Sequence, residues 1–421
     1  MTSPVWHPFT QHGLGEPIPT ILSAKGASLH CADGTRLLDL ISSWWVITHG
    51  HCEPRIAAAI AAQAHELDQL IFAGYTHPQA EALARDLVAL APPGLPHVFF
   101  SDSGSTAVEV GLKMALGYWH NRGVPRHRIL VLEHSYHGDT IGAMSVGARG
   151  AFNRAYAPLL FDVATVPFPT EGAEQATLDA LDALCTSDEK PAAFIIEPLI
   201  LGSGGMLIYS PEMLRAMHAI CAQHDMLFIV DEVMTGWGRT GTLFACEQAG
   251  ISPDILCLAK GLTGGAVPLA ATMASPAIFE AHRSPDRADM FFHSSSFTAN
   301  AICCAAANAN VAIWREEDVL GRITALGDAL DDGLARIASH SALEKPRRIG
   351  AIAAIDVKVP DSGYLSDVAP RLRARFLADG LLLRPLGNTI YLMPPYCTAK
   401  DEIGRAFDAI GNAADSLMMR P

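Results

Sequence analysis

The chain of 421 residues has no excess of basic residues, with 30 Lys and Arg against 44 Asp and Glu and a formal net charge of -14 at pH 7. Proteins that bind nucleic acids neutralise backbone phosphates with basic side chains, so we expect no nucleic-acid partner. No apolar run is long enough to cross a bilayer, which argues against a membrane partner. The first eight residues, Met1-Thr-Ser-Pro-Val-Trp-His-Pro, lack the basic and apolar segments of a secretory signal. We therefore expect a cytoplasmic protein.

Several common site motifs are also missing. The nine cysteines include no C-x-x-C pair, so we expect reduced, mostly buried thiols rather than a metal site or disulfides. No G-x-x-x-x-G-K-[ST] phosphate cradle occurs, although Asp231-Glu232 follows an apolar run as in the magnesium-binding strand of nucleotide hydrolases. No fixed-period repeat is visible. Nucleotide hydrolysis and repeat architectures are thereby disfavoured.

Half of the residues are hydrophobic, which is enough for a large core. Helical patterns alternate with short apolar runs, the order expected of a wound, mostly parallel α/β sheet. The predicted helices cover residues 56–70, 79–91, 105–119, 299–314 and 320–338, and the predicted strands cover 97–101, 129–133, 193–197, 228–231, 255–260, 349–357 and 381–393. We predict a large domain over 56–314, a smaller α+β domain over 315–421, and an N-terminal segment, 1–55, that packs with the smaller domain.

Two of the predicted strands end in complementary chemical groups. Phe228-Ile-Val-Asp231 ends in a carboxylate, and Ile255-Leu-Cys-Leu-Ala-Lys260 ends in an amine. Ligands of open parallel sheets lie outside the carboxyl ends of the strands, so both side chains can reach one small molecule. Pyridoxal 5'-phosphate requires a lysine that forms an imine and an acid that pairs with its ring nitrogen. A surface lysine at a strand end is the plain alternative.

A phosphate site is predicted between the strand over 97–101 and the next helix. Ser101-Asp-Ser-Gly-Ser105 leads into that helix, whose first backbone N–H groups attract anions. Gly104 permits close approach, and the Ser105 hydroxyl can donate to a phosphate. Ordinary capping of the helix by Ser103 or Ser105 is the alternative interpretation.

Two further residues are predicted to lie beside a flat cofactor. Tyr136 follows the strand over 129–133 and can cover one face of a ring, while Val233 can contact the other face. His134, His137 and Asp139 raise the alternative of a metal site. Their spacing does not match the H-E-x-x-H pattern of a helical zinc site, and no second ligand cluster accompanies them.

A dinucleotide site is a weaker alternative. Gly236-Trp-Gly238-Arg-Thr-Gly241 fits G-x-G-x-x-G and follows a strand. The next strand, however, ends in Lys260, where a dinucleotide site needs an acidic residue for the ribose. The pattern therefore gives this alternative little support.

These motifs together resemble the class III, fold-type I aminotransferases that depend on pyridoxal 5'-phosphate, over nearly the full chain. The segments that carry the resemblance are Trp6-His-Pro-Phe-Thr10, Ser42-Ser-Trp-Trp45, Ser101-Asp-Ser-Gly-Ser105, Tyr136-His-Gly-Asp-Thr140, Asp231-Glu-Val-Met-Thr-Gly-Trp-Gly-Arg-Thr-Gly241, Asp254-Ile-Leu-Cys-Leu-Ala-Lys260 and Arg384-Pro with Tyr391-Leu-Met-Pro-Pro395. The family fold has a large wound sheet domain and a smaller α+β domain, in agreement with the pattern above.

The resemblance implies roles for the residues already singled out. Lys260 holds the cofactor covalently and moves protons, and Asp231 pairs with the ring nitrogen. Gly104 and Ser105 bind the phosphate, while Tyr136 and Val233 line the ring.

Other cofactor contacts are implied across the interface of a homodimer. Ser295 and Ser296 match the family's phosphate loop, which reaches the site of the partner subunit. Here His293-Ser-Ser-Ser-Phe297 stands where the family commonly has Gly-Pro-Thr, so the restraint of a proline is lost while the Ser296 hydroxyl remains.

Substrate contacts are implied at Phe9, Trp44, Tyr136, Asp139, Lys260, Ser294 and Arg384. Arg384 can bind a carboxylate, and an indole wall at Trp44 suits an aliphatic chain. We expect Trp44 and Trp45 to lie on a strand, with only one of them facing the site. Phe9 stands where well-known family members have tyrosine.

The double tryptophan and Tyr391-Leu-Met-Pro-Pro395 are similar to the branch of the class that acts in biotin synthesis. That branch implies 8-amino-7-oxononanoate as the amino acceptor and S-adenosylmethionine as the expected donor. Three alternatives stay open: another ω-amino acid or diamine aminotransferase, an aminomutase, and a regulatory protein that binds the same cofactor.

Overall fold

The computed structural model describes residues 3–360 and 363–418. Its strands are β1 (Ile21–Lys25), β2 (Ser28–Cys31), β3 (Arg36–Asp39), β4 (His97–Ser101), β5 (Ile129–Leu132), β6 (Ala164–Val166), β7 (Ala193–Ile196), β8 (Ile200–Leu201), β9 (Leu207–Ile208), β10 (Leu227–Asp231), β11 (Ile255–Leu258), β12 (Ala270–Ala274), β13 (Leu343–Ile349), β14 (Ile352–Val357), β15 (Leu381–Leu382) and β16 (Thr389–Leu392).

Thirteen α-helical segments connect or flank these strands within the described residues. They are α1 (Ser42–Trp45), α2 (Pro54–Ala64), α3 (Pro78–Leu90), α4 (Gly104–Asn121), α5 (Ile141–Ser145), α6 (Glu174–Cys185), α7 (Pro211–Gln223), α8 (Cys246–Ala249), α9 (Pro276–Ala281), α10 (Ala301–Glu316), α11 (Val319–Ile337), α12 (Val368–Ala378) and α13 (Lys400–Met418). Short 3-10 helices occupy His12–Leu14, Arg154–Leu159, Lys260–Thr263 and Arg287–Asp289.

A seven-stranded sheet has the order β4-β12-β11-β10-β7-β5-β6. All neighbouring pairs are parallel except those of β12, which runs antiparallel to both β11 and β4. The predicted α/β class with a wound, mostly parallel sheet is confirmed. Strand β12 was not among the predicted strands.

The central strands are buried on both faces. Every residue of β5, β7, β10 and β11 is buried, as is usual where helices cover both sides of a parallel sheet. One apolar cluster includes Phe194 and Phe228, and the other includes Ile195 and Ile229. Consecutive residues of one strand thus enter opposite layers of the core, which fixes the register of each strand.

The chain ends meet in two smaller sheets. Strands β1, β2 and β3 form an antiparallel sheet that β15 extends by pairing parallel to β3. Strands β13, β14 and β16 form a second antiparallel sheet, against which α11 packs. These pairings are compatible with the predicted division at residues 55 and 314, which stays a prediction.

Three local expectations were wrong. Residues 381–393 form two strands rather than one, because Pro385 and Gly387 interrupt the pairing. The helix predicted over 56–70 begins at Pro54 and ends at Ala64, after which the chain turns and the Gln63 side chain donates to the Leu67 carbonyl at 2.9 Å. The segment with the two tryptophans is not a strand but a single turn, Ser42–Trp45, in the left-handed region.

Candidate active site

The predicted amine and carboxylate line one cavity of about 410 Å³. Asp231 is the last residue of β10, and β11 ends at Leu258, two residues before Lys260. Lys260 opens a 3-10 helix with φ of 47°, so it belongs to the turn after the strand rather than to the strand itself. Because β10 and β11 are parallel neighbours, their carboxyl ends bring both side chains to the same edge of the sheet.

The cavity changes the acidity of Lys260. Burial lowers the pKa of its amine to about 8, because removal from water disfavours the ammonium. The negative charges of Asp231 and Glu197 oppose this shift, and the positive charge of Arg239 adds to it. The amine lies 4.9 Å from the centre of the Trp45 ring. A neutral, nucleophilic amine is thus accessible near physiological pH.

Asp231 has a buried partner that sequence reasoning assigned only to an alternative metal site. Its Oδ2 atom lies 2.7 Å from His137 Nδ1, and its Oδ1 accepts from the Val233 N–H at 3.0 Å. Since a carboxylate can only accept, His137 carries its hydrogen on Nδ1. No cluster of three or more metal-binding side chains occurs in residues 3–360 and 363–418.

Glu197 is a second residue of the cavity that sequence reasoning missed. It follows β7, and its carboxylate accepts from the Tyr136 N–H at 3.1 Å and the Gly202 N–H at 3.0 Å. Burial raises the pKa of this carboxyl to about 7, and the neighbouring His137 works against that rise. The available signal was the position directly after a buried strand, the same signal that singled out Asp231.

The start of α4 provides backbone donors at the cavity. Ser103 caps this helix through the Thr106 N–H at 3.2 Å, as the plain alternative predicted. The N–H groups of Gly104 and Ser105 precede the first backbone bond of the helix and have no acceptor inside it. Both residues line the cavity. A Cβ on Gly104 would lie 2.5 Å from Val233 Cγ1, so only glycine fits there.

Tyr136 and Val233, both predicted to lie beside a cofactor ring, also line the cavity. Burial raises the pKa of the Tyr136 hydroxyl, and the nearby Asp139 carboxylate raises it further, so the phenol stays protonated. Tyr136 and Asp139 border a neighbouring cavity of about 420 Å³, which Phe152 also lines. The Asp139 N–H donates to Ser105 Oγ at 3.1 Å and so ties this loop to the start of α4.

Three predicted substrate residues form a separate cluster. The rings of Phe9 and Trp44 lie 5.4 Å apart, and the Arg384 guanidinium lies 5.3 Å from the Trp44 ring. Arg384 Nη2 also donates to the Phe9 carbonyl at 2.9 Å. Trp45, rather than Trp44, lines the 410 Å³ cavity. Trp45 therefore lines the cavity that contains Lys260, while Trp44 belongs to the cluster with Phe9 and Arg384.

The predicted phosphate loop contacts Asp102, a residue that lines the cavity of its own chain. Ser294, Ser295 and Ser296 are not among the described residues that line the cavity. Ser295 Oγ donates to Asp102 Oδ2 at 2.7 Å, and the Ser296 carbonyl accepts from Gln69 Nε2 at 2.8 Å. Their roles toward a partner subunit stay predictions.

The described residues fit pyridoxal 5'-phosphate. Lys260 supplies an amine for covalent attachment, Asp231 a carboxylate, and Gly104 and Ser105 free N–H groups for a phosphate. Tyr136 adds an aromatic ring. The buried Nε2 of His137, which has no hydrogen-bond partner among the described residues, is compatible with a further polar group in the cavity.

Comparison with known proteins agrees with this geometry. The family model of class-III aminotransferases matches residues 12–414. The chain is 46% identical to the adenosylmethionine-8-amino-7-oxononanoate aminotransferase of Synechococcus elongatus, over 98% of this chain and 99% of that protein. It is 36% identical to the protein of the same name from Helicobacter pylori, over 98% and 96% of the two chains.

Solved structures give the same result. The crystal structure of adenosylmethionine-8-amino-7-oxononanoate aminotransferase from Methanocaldococcus jannaschii superposes with a TM-score of 0.94 at 32% identity, over 98% of this chain and 97% of that chain. A PLP-bound amine transaminase from an uncultivated Pseudomonas species superposes with a TM-score of 0.91 at 30% identity, over 99% of each chain. On the full-length match and the assembled site, this chain belongs to the class-III aminotransferase family.

Proposed function

We propose that the protein transfers an amino group from S-adenosylmethionine to 8-amino-7-oxononanoate, which gives 7,8-diaminononanoate for biotin synthesis. The observation that carries this proposal is the Lys260 amine, with its lowered pKa, in one cavity with Asp231. The full-length similarity to proteins named for this reaction supports the choice of substrates.

The chemistry is divided between the cofactor and the protein. When bound, pyridoxal 5'-phosphate supplies an electron sink that stabilises the negative charge left when a substrate carbon loses a proton. The Asp231 carboxylate, held by His137 at 2.7 Å, would stabilise a protonated ring nitrogen of the cofactor. The N–H groups at the start of α4 would bind the phosphate through their partial positive charge.

Lys260 has two successive tasks in this proposal. Its neutral amine acts first as the nucleophile, which a pKa of about 8 permits near neutral pH. Its second task would be proton transfer, in which Nζ would accept a proton from the substrate carbon and later return one. A base whose pKa lies near the working pH is efficient in both directions.

Contacts to the acceptor are proposed at its carboxylate and along its aliphatic chain. Arg384 offers a guanidinium for the carboxylate of 8-amino-7-oxononanoate, and the rings of Trp44 and Phe9 offer apolar surface for its aliphatic chain. The amino donor enters the same region first, and the acceptor follows after the deaminated donor has left, so both substrates share one set of residues. Asp139 and Ser294 are proposed as further substrate contacts.

We also propose that the protein works as a homodimer in the cytoplasm. Ser295 and Ser296 are proposed to reach the phosphate in the partner subunit. Nine cysteines without a disulfide suit a reducing compartment. No helix among the described residues has both the length and the apolar character needed to cross a membrane.

The deciding experiment is a half-reaction. The cofactor-loaded protein is titrated separately with S-adenosylmethionine, lysine, alanine and glutamate, and the near-visible absorbance of the lysine-linked cofactor is followed. We expect S-adenosylmethionine to remove this band, and subsequent addition of 8-amino-7-oxononanoate to restore it with 7,8-diaminononanoate detected by mass.

The matched controls use two lysines. Lys260→Ala should lack the band and reduce turnover by on the order of 10⁴-fold, whereas the exposed Lys358→Ala should behave as wild type. Turnover by Lys260→Ala at the wild-type rate, or no formation of 7,8-diaminononanoate with any donor, would overturn the proposal.

A second candidate is another amine transaminase of the same family. Two observations support this candidate. The chain superposes on an amine transaminase, and Phe9 stands where well-known family members have tyrosine. It predicts that simple amines remove the band and that 8-amino-7-oxononanoate does not restore it, so the same titration separates the two functions.

A further inference from the structure

Four consecutive residues, Ser42–Trp45, have φ angles of 51°, 44°, 78° and 71°. Residues other than glycine rarely adopt this left-handed region, because their Cβ crowds the following carbonyl oxygen. Such backbone strain persists only where the surroundings impose it, and it concentrates at functional sites. A run of four strained residues therefore needs a specific structural cause.

The Asp39 carboxylate is hydrogen-bonded to this turn. Its side chain is wholly buried, and its Oδ1 accepts from the N–H groups of Ile41 at 3.1 Å and Ser43 at 3.0 Å. Its Oδ2 accepts from Ser43 Oγ at 2.8 Å and from His51 Nε2 at 2.8 Å. Two oxygens thus receive four donors, which is the full capacity of a carboxylate. Three of the donors belong to the strained turn or to the residue before it.

The turn delivers both tryptophans to the site. The Trp45 ring centre lies 4.9 Å from Lys260 Nζ, and its indole N–H donates to the Tyr391 hydroxyl at 2.9 Å. Trp44 packs against Arg384, whose guanidinium lies 5.3 Å from its ring centre. An ordinary strand or right-handed helix at this point would direct these two side chains differently.

We propose that Asp39, braced by His51, is a positioning residue that sets Trp44 and Trp45, and thereby the affinity of the site for its carboxylate substrate. The inference rests on the proposed function for the identity of that substrate. Asp39 does not touch the cavity itself, because its carboxylate is enclosed by its four donors. Its effect is transmitted through the two indole rings.

The primary test measures binding without turnover. Nonanoate, a nine-carbon carboxylate without an amino or keto group, is titrated calorimetrically into cofactor-loaded wild type and Asp39→Ala. We expect the Kd to rise by about tenfold, the size expected when one well-placed aromatic contact is lost. Near-UV circular dichroism of the cofactor-free proteins should show an altered tryptophan signal with unchanged far-UV signal.

A double-mutant cycle separates positioning from general damage. In a Trp44→Ala background, Asp39→Ala should raise the Kd by less than about twofold, because Trp44 is the one of the two rings that packs against the carboxylate-binding Arg384. Ser43→Gly added to Asp39→Ala should recover part of the lost affinity, since glycine adopts positive φ without the carboxylate. Should Asp39→Ala fail to fold, Asp39→Asn takes its place in the same cycle.

The matched control is another aspartate that accepts a backbone N–H. Asp254 Oδ2 accepts from the Phe228 N–H at 2.8 Å at the opposite end of the strands, so Asp254→Asn should leave nonanoate binding unchanged. Unchanged binding in folded Asp39→Ala, or full additivity with Trp44→Ala, would overturn the positioning role. If wild type binds no nonanoate, the proposed function is at fault, and an unchanged tryptophan signal in Asp39→Ala would still overturn the positioning role.

Discussion

At the scale of single residues, the lowered pKa of Lys260 has a measurable cost to stability. In the folded protein the pKa of this amine is about 8, whereas that of an ordinary lysine is 10.5. Between about pH 8 and pH 10.5 the unfolded chain binds a proton that the folded protein does not. The free energy of unfolding is therefore unaffected by this amine above about pH 10.5 and decreases as the pH falls towards 8.

Replacement by an uncharged side chain removes this dependence. We expect cofactor-free Lys260→Met to be more stable than wild type at pH 7.5 by up to about 3 kcal/mol, and the advantage to shrink steadily as the pH approaches 10.5. Urea unfolding at several pH values gives the difference, in which all groups shared by the two proteins cancel. A difference independent of pH would show that the amine is not desolvated.

Glu197 should tune the same amine. Its negative charge raises the pKa of Lys260, so Glu197→Gln should lower that pKa below about 8. The midpoint of the pH dependence of cofactor capture by cofactor-free protein, followed by absorbance, should move to lower pH.

The control for Glu197 is Glu232, which shares its burial and its pKa of about 7. Glu232 accepts from Thr235 Oγ1 at 2.6 Å and from the Cys246 N–H at 2.8 Å, and its charge is not among those that act on Lys260. Glu232→Gln should leave the midpoint in place. Equal shifts in both variants would contradict a specific role for Glu197.

The shared cavity of Lys260 and Asp231 could be predicted because each residue stands at or just beyond the end of a buried strand, and apolar runs in the sequence reveal such ends. His137 and Glu197 contact the same site through a neighbouring loop and the neighbouring strand β7. Which strand lies beside β10 depends on the strand order across the sheet, and hydrophobic patterns carry no information about that order.

At the scale of elements, the start of α4 combines a structural and a binding task. Ser103→Ala removes the side chain that accepts the Thr106 N–H, which should lower the free energy of unfolding by about 1 kcal/mol. The same change loosens the N–H groups of Gly104 and Ser105, so affinity for pyridoxal 5'-phosphate should fall as well.

Helix α7 provides the control for this pair of effects. Ser210 caps it through the Met213 N–H at 3.3 Å, far from the phosphate site in sequence and outside the residues that line the cavity. Ser210→Ala should cost a similar amount of unfolding free energy by urea titration and leave cofactor affinity unchanged. If the two variants lose cofactor equally, α4 has no special role in binding it.

The left-handed conformation of the turn Ser42–Trp45 could not be predicted from the sequence. The two tryptophans were expected to lie on a strand, and no glycine or asparagine marks the left-handed conformation. The conformation depends on the buried Asp39 carboxylate and on the Ser42 hydroxyl, which donates to the Met393 carbonyl at 2.7 Å. The second of these contacts joins residues 351 positions apart, so local sequence patterns do not contain it.

At the scale of the whole molecule, an exposed apolar surface supports the proposed homodimer. Ile71, Tyr75, Phe292 and Phe297 are 60 to 68% exposed, and their two segments are joined by the hydrogen bond from Gln69 to the Ser296 carbonyl. Large exposed apolar patches usually mark interaction sites. Two of these four residues, Phe292 and Phe297, flank in sequence the serines that are proposed to reach the partner's phosphate.

A charge in this patch should therefore separate the subunits. Phe297→Asp places a carboxylate where the proposed interface excludes water, and we expect the dimer Kd to rise by about tenfold or more. Light scattering over a dilution series measures this, and turnover should fall with the dimer fraction because Ser295 and Ser296 no longer reach the partner. Leu320→Asp, on the exposed side of α11, should alter neither. A monomeric wild type with full activity would show that each chain completes its own phosphate site.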